Sequence, residues 1–251
     1  MKILRVSSGL FIALLLVATA PAAMGQSTIF NIPSTDTVSK GKAYAEFDFL
    51  PQIPSSGDRL FLYNPRLVVG VPGNAEAGVN FPTYHVSGST NAYIQPNFKW
   101  KYYQNDDAGV AITAGIVWNT PMNHRDGQDS WGYIYTNVSK KIKSGNYGPR
   151  FTAGPYGVLG ANRDPLKGAV SFVGQPRAGA IVGYEQPIHA KASIVADWFS
   201  GQNALGYFTP GVSFTLPANG LLNIGYSIGN DSYKSPSNNN RALFVYYGVT
   251  F

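Results

Sequence analysis

The stretch LFVYYGVTF, residues 243–251, decides how the rest of the chain is read. Leu243, Val245, Tyr247, Val249 and Phe251 fall on one face of an extended segment. Ala242, Phe244, Tyr246, Gly248 and Thr250 fall on the other. A period of two predicts a strand. Neither face is polar, and an apolar strand left at an open edge invites aggregation. The segment therefore needs a partner along its edge and something that covers both faces.

The opposite end supplies a compartment. MKILRVSSGLFIALLLVATAPAAMGQ carries Lys2 and Arg5, an apolar run from Leu10 to Ala20 and small residues around Ala23-Met24-Gly25. That order predicts a secretory signal peptide over residues 1–25, cleaved after Gly25. The apolar run is shorter than the ~20 residues a spanning helix needs. Loss of Lys2 and Arg5 lowers the formal charge from +6 to +4. No basic run offers a nucleic-acid surface. Cysteine is absent, so neither disulfides nor thiolate metal sites support an exported fold. No second stretch is apolar enough for a spanning helix, which excludes a helical membrane protein.

Working back from the C-terminus, the same alternation recurs. In KAYAEFDF (42–49), Ala43, Ala45, Phe47 and Phe49 oppose Tyr44, Glu46 and Asp48. In IQPNFKWKY (94–102), Ile94, Phe98, Trp100 and Tyr102 oppose Gln95, Asn97, Lys99 and Lys101. Twelve such segments are predicted, at 42–50, 58–71, 75–85, 91–102, 108–118, 131–143, 149–160, 175–187, 191–199, 206–216, 221–229 and 241–251. Short gaps such as VPGN, YQNDD and PANG alternate with long ones such as NTPMNHRDGQDS and NDSYKSPSNNN. An even number of ~10-residue strands with alternating short and long connections predicts an all-β fold, a transmembrane antiparallel β-barrel with both termini at the short-turn end. One barrel domain, 42–251, then follows a short periplasmic N-terminal lead, 26–41.

Charge placement agrees. Glu46, Asp48, Arg66, Glu76, Lys99, Lys101, Lys141, Arg150, Arg177, Glu185, Lys191 and Asp197 share the face opposite the large apolar groups, which makes them candidate pore-lining residues. A charge facing lipid at mid-bilayer costs ~2–4 kcal/mol. Lys140 breaks the pattern, but it lies near a short turn, where a long side chain can snorkel. With Lys143 the lining holds eight basic and five acidic residues. That surplus would favour anions, unless the charges pair across the lumen and plug it. Outward Trp100, Tyr102, Trp118, Tyr184 and Trp198 fall near strand ends, as interfacial girdles do. Pro65, Pro96, Pro155 and Pro210 fall inside strands and are expected to mark bulges or kinks.

The signal peptide, the alternating segments and the terminal Phe251 together resemble bacterial outer-membrane β-barrels. Two stretches, IFNIPSTDTVSKGKAYAEFDF (29–49) and ADWFSGQNALGYFTPGVSF (196–214), resemble more narrowly porin-like transporters, including those associated with degradation of aromatic compounds. The resemblance implies passive passage of small solutes and no enzymatic activity. It also implies membrane lipids and the barrel-assembly machinery as partners, with Phe251 as the membrane-insertion signal. Oligomerisation stays open, and no cofactor is expected. Selectivity is expected from the inward charges and from loops 119–130 and 161–173.

Two alternatives remain open. A non-conducting barrel could use its long loops in adhesion or envelope structure. A membrane-embedded lipid hydrolase would need a serine activated by a histidine. His85, near Ser87 and Ser89, is placed for that, whereas His124 and His189 lie in connections. The loop NHRDGQDS, with His124, Asp126 and Asp129, lacks the ligand spacing of a calcium loop, so no metal site is expected.

Overall fold

The computed structural model describes residues 28–52, 59–86, 88–123, 130–160, 174–230 and 241–251. The signal peptide expected at 1–25 lies outside them. Strands β1 (Ala43–Gln52), β2 (Leu60–Val71), β3 (Ala75–Asn80), β4 (Thr83–Val86) and β5 (Ser89–Asn105) begin an antiparallel meander. It continues through β6 (Val110–Pro121), β7 (Trp131–Lys141), β8 (Arg150–Gly160) and β9 (Ala178–His189). It ends with β10 (Ala192–Phe199), β11 (Tyr207–Leu216), β12 (Gly220–Gly229) and β13 (Arg241–Thr250).

β3 and β4 both lie between β2 and β5 and are two halves of one interrupted strand. The break is at Phe81-Pro82, where proline has no N–H to give the ladder. Among the described residues the ring therefore has twelve staves, as the alternation predicted. It closes where β1 pairs with β13, Tyr44 opposite Thr250 and Phe49 opposite Val245. Closure gives the terminal strand the edge partner it needed and leaves no free edge.

The faces are inverted relative to a soluble sheet. Phe47 is 47% exposed, while its neighbours Glu46 and Asp48 are 4% and 2% exposed. Outward Trp100 and Trp198 donate to connections at opposite ends. Trp100 Nε1 lies 3.1 Å from the Gly73 carbonyl and Trp198 Nε1 lies 2.9 Å from Asn230 Oδ1. Lys140 bends its ammonium back to the Ala108 carbonyl in a short turn, as snorkelling requires.

The prolines do something other than bulge. The paired positions skip two residues at Pro96, at Pro155 and at Pro210 without any change of register. The register shifts fall instead between Lys101 and Tyr103 and between Ala192 and Ser193. A proline on the outward face removes one donor but leaves the register intact.

Residues 28–41, expected as a periplasmic lead outside the barrel, instead run inside it. The segment enters at the short-turn end, where Lys40 bridges Gly70 and Gly41 N–H donates to the Gly70 carbonyl at 3.1 Å. A Cβ on Gly70 would lie 2.1 Å from the Ser39 carbonyl oxygen, so only glycine lets the chain through there. Ile29, Phe30 and Ile32 are fully buried at the other end of the segment.

Candidate functional site

The lumen is the candidate site, and its inward side chains meet in three charged clusters. In the first, Arg66 Nε lies 3.0 Å from Glu46 Oε1 and Arg66 Nη2 lies 2.7 Å from Asp48 Oδ2. Register explains this: Glu46 is directly opposite Arg66 in the β1–β2 pair. Tyr44 donates to Glu46 and Asn64 donates to Asp48. In the second cluster, Lys99 Nζ is 3.0 Å from Glu76 Oε1, across the β3–β5 pair. In the third, Arg150 holds Glu185 through Nε and Nη2 at 2.6 and 2.7 Å. Its Nη1 reaches Asp36 of the lead at 2.6 Å.

Partial burial alone would raise the Asp36 carboxyl. The Arg150 guanidinium, through its charge and its hydrogen bond, with Lys101 and Lys99 behind it, takes the group below its ordinary value instead. The depressed direction means this anchor is fully present above the ordinary carboxylate range and is lost only on strong acidification.

Asp197 is held differently. Its Oδ2 accepts the backbone N–H groups of Phe30, Asn31 and Ile32 at 2.8, 2.6 and 2.9 Å. Asn31 Nδ2 reaches Oδ1 at 3.2 Å and Thr209 Oγ1 at 2.7 Å. Successive N–H groups converging on one anion form a nest. The tight reversal that makes it possible is set by the Thr28–Pro33 bridge and an Ile29 N–H to Ile32 carbonyl bond of 3.0 Å.

The rest of the lead is tied down along its length. Asn137 Nδ2 donates to the Pro33 carbonyl at 2.6 Å, and the Thr35 and Ser139 hydroxyls are 2.6 Å apart. Val38 N–H donates to Glu76 Oε2 at 2.7 Å. Asn223 Nδ2 and Tyr246 Oη both donate to the Ile29 carbonyl, at 3.0 and 2.8 Å. Phe30 packs against Phe244 and Tyr246, with ring centroids 5.3 and 6.0 Å away. A polar lining thus satisfies an irregular backbone segment that could not otherwise be buried.

The lead divides the lumen into two chambers. The one toward the long loops has a volume of about 520 Å³, with Thr28, Phe30, Asn31 and Pro33 in its lining. The one toward the short turns has about 600 Å³ and is lined by Lys101, Lys141, Lys143 and Arg150 together with Thr35 and Asp36. At the loop end, connection 200–206 folds inward. Asn203 Nδ2 donates to Tyr156 Oη and to the Pro176 carbonyl at 2.9 and 2.8 Å, and Leu205 packs on the core.

Of the twelve lining candidates, Glu46, Asp48, Arg66, Glu76, Lys99, Arg150 and Glu185 are engaged in ion pairs. Asp197 binds the lead. Lys101 and Lys141 border the inner chamber, while Arg177 and Lys191 are exposed at opposite ends. The expected surplus of lining cations is therefore not spread along the bore; its lysines gather at the short-turn end. The pairing and plugging alternative describes the middle of the lumen.

Of the two loops expected to set selectivity, 124–129 and 161–173 lie outside the described residues, as do His124, Asp126, Asp129 and Ser87. The inward fold of 200–206 was not anticipated. His85 Nδ1 sits 3.0 Å from Thr90 Oγ1, and His189 Nδ1 accepts the Lys191 N–H at 3.2 Å.

The wall is shaped to the lead. A Cβ on Gly183 would lie 2.5 Å from Ile29 Cδ1 and 2.8 Å from Ile32 Cδ1, touching the backbone of neither. Gly183→Val is expected to lift the lead while leaving the ladder intact. Single-channel recording checks it: a larger conductance than the parent is expected, and an unchanged one counts against the packing described.

The sequence matches no protein-family model, and it matches no curated protein. Solved structures do share the fold. An outer membrane channel from Pseudomonas putida F1 is 12% identical and superposes with a TM-score of 0.52, over 86% of this chain and 96% of that one. The translocator domain of the autotransporter NalP from Neisseria meningitidis is 11% identical, with a TM-score of 0.37 over 84% of this chain and 88% of that one. The first likeness shows that this chain has the fold of an outer-membrane β-barrel.

Proposed function

We propose that the protein is an outer-membrane pore or facilitator for small solutes, closed at rest by its own N-terminal lead. The observation that carries this reading is the lumen itself: two chambers of about 520 and 600 Å³, separated by one irregular segment. A lumen meant only as a structural strut has no need of chambers, and smaller barrels of eight strands fill theirs with side chains. Passage then requires the lead to shift, with the chambers serving as vestibules on either side.

Lys101, Lys141 and Lys143 around the inner chamber would favour small anions at the periplasmic mouth. Export by the signal peptide, assembly recognition through Phe251 and the absence of catalysis belong to the same proposal. Reconstitution in a planar bilayer under a salt gradient tests it. Steps with a reversal potential displaced toward anions support the pore and its preference. A displacement toward cations removes the anion preference, and a folded chain that never conducts removes the pore and leaves the loops as the functional surface.

A further inference from the structure

The inner chamber already holds an anion, and that anion belongs to the protein. Asp36 of the lead sets its carboxylate on Arg150 Nη1 at 2.6 Å. A solute can reach the pair, since the Arg150 and Asp36 side chains are 20% and 33% exposed. Nε and Nη2 of the same guanidinium are held by Glu185, directly opposite in the β8–β9 ladder. One edge of Arg150 is thus fixed by the wall. The other is covered by the segment that has to shift for passage.

The chamber carries more positive charge than Asp36 neutralises. Lys101, Lys141, Lys143 and Arg150 line it against Asp36 and Asp106. Adding Glu185, which lies behind Arg150, still leaves four cations to three carboxylates. Among the described residues none of these lysines makes an ion pair. Lys141 and Lys143 are exposed and Lys101 is half-buried, and the Lys101 charge is close enough to act on the Asp36 carboxyl.

An incoming anion has to compete with Asp36, whose tether gives it an effective concentration in the millimolar range or above. A single free carboxylate offers Arg150 nothing that Asp36 lacks. An anion with two or three carboxylates can take Nη1 with one and set the others against the lysines. We propose that the inner chamber binds a small polycarboxylate, which replaces Asp36 on Arg150 and so loosens the lead around that residue. The volume of about 600 Å³ lies within the ~300–1,000 Å³ typical of small-molecule sites. This names a solute class for the pore reading and rests on that reading for its purpose.

Binding and loosening can both be read without flux, on the full-length mature protein in a neutral detergent at neutral pH. Calorimetric titration with citrate, and with acetate as the single-carboxylate probe, reports binding. The chain has no cysteine, so Ser34→Cys places one thiol at a fully buried position whose side chain accepts the Asp36 N–H. Its rate of reaction with uncharged N-ethylmaleimide reports how often this part of the lead lifts.

Citrate is expected to bind in the millimolar range and to speed labelling several-fold. Acetate should do neither, and nor should sodium chloride at matched ionic strength. Replacing both Lys101→Gln and Lys141→Gln should weaken citrate binding about tenfold. Asp36→Asn removes the tethered competitor and should tighten it by about the same factor. The proposal is overturned by citrate that does not bind, by binding that leaves labelling unchanged, by matched chloride that speeds labelling equally, or by a double-lysine variant that binds like the parent. Planar-bilayer recording separates the two readings. A chain that binds citrate and labels faster but never conducts removes the pore and keeps the site. One that conducts and ignores citrate removes the site and keeps the pore.

Discussion

Replacing Asp197 by alanine is expected to turn a largely closed barrel into a largely open one. Its carboxylate takes three consecutive backbone N–H groups of the lead, from Phe30, Asn31 and Ile32. Hydrogen bonds to a charged group contribute about 1.5–3 kcal/mol each, and stranded donors cost about 1–3 kcal/mol. Lumenal water would take over part of that loss. A net change of about 3 kcal/mol shifts the ratio of seated to displaced lead about a hundredfold. Single-channel records of Asp197→Ala should show long openings where the parent shows rare ones. Asp197→Asn keeps the shape and one acceptor oxygen without the charge, and should fall between them. Closed-state dwell times like the parent's in Asp197→Ala would show that the nest does not hold the lead.

Removing Arg66 should strike stability rather than gating. Its guanidinium spans two carboxylates whose side chains are 0% and 2% exposed. Breaking a buried ion pair from one side costs about 3–5 kcal/mol, because the remaining charge has lost its partner. Here two like charges are left on one strand, which places the effect at the upper end. Arg66→Met should lower the midpoint of guanidinium unfolding in lipid vesicles accordingly. Arg66→Lys should recover only part, since a single ammonium cannot reproduce the fork that meets Glu46 and Asp48 together. A loss under about 1 kcal/mol, the value of a solvated surface pair, would mean that water fills this part of the lumen.

The barrel was legible because its evidence is local. Period-two alternation in stretches such as 42–49 and 243–251 gives the strands, their faces and, through the gaps, their sidedness. Inward charge could be read at Glu46, Arg66 and Lys99 for the same reason. Which of them would neutralise each other could not, because pairing depends on register: Glu46 meets Arg66 only through the β1–β2 alignment. Counting charges therefore left a basic surplus and pairing across the lumen as alternatives, whereas the structure shows the pairs directly and places Lys101 and Lys141 around the chamber at the short-turn end.

The lead was illegible for a different reason. IFNIPSTDTVS, residues 29–39, has no strand periodicity and reads only as part of a short periplasmic lead. Its burial depends on partners far along the chain, Asn137, Asp197 and Asn223 among them. One trace did exist. Ile29, Phe30 and Ile32 are large apolar groups in a segment otherwise taken for periplasmic loop, and apolar groups in such a place ask what covers them. Connection 200–206 escaped likewise, since an Asn such as Asn203 looks like loop polarity until Tyr156 is beside it.

The central claim, a pore shut by its own N-terminal segment, is tested most directly by single-channel conductance of the mature chain beside a version lacking residues 26–38. The intact chain should be mostly closed, and the shortened one should show stable, several-fold larger steps. Equal conductance in two equally folded proteins would contradict it.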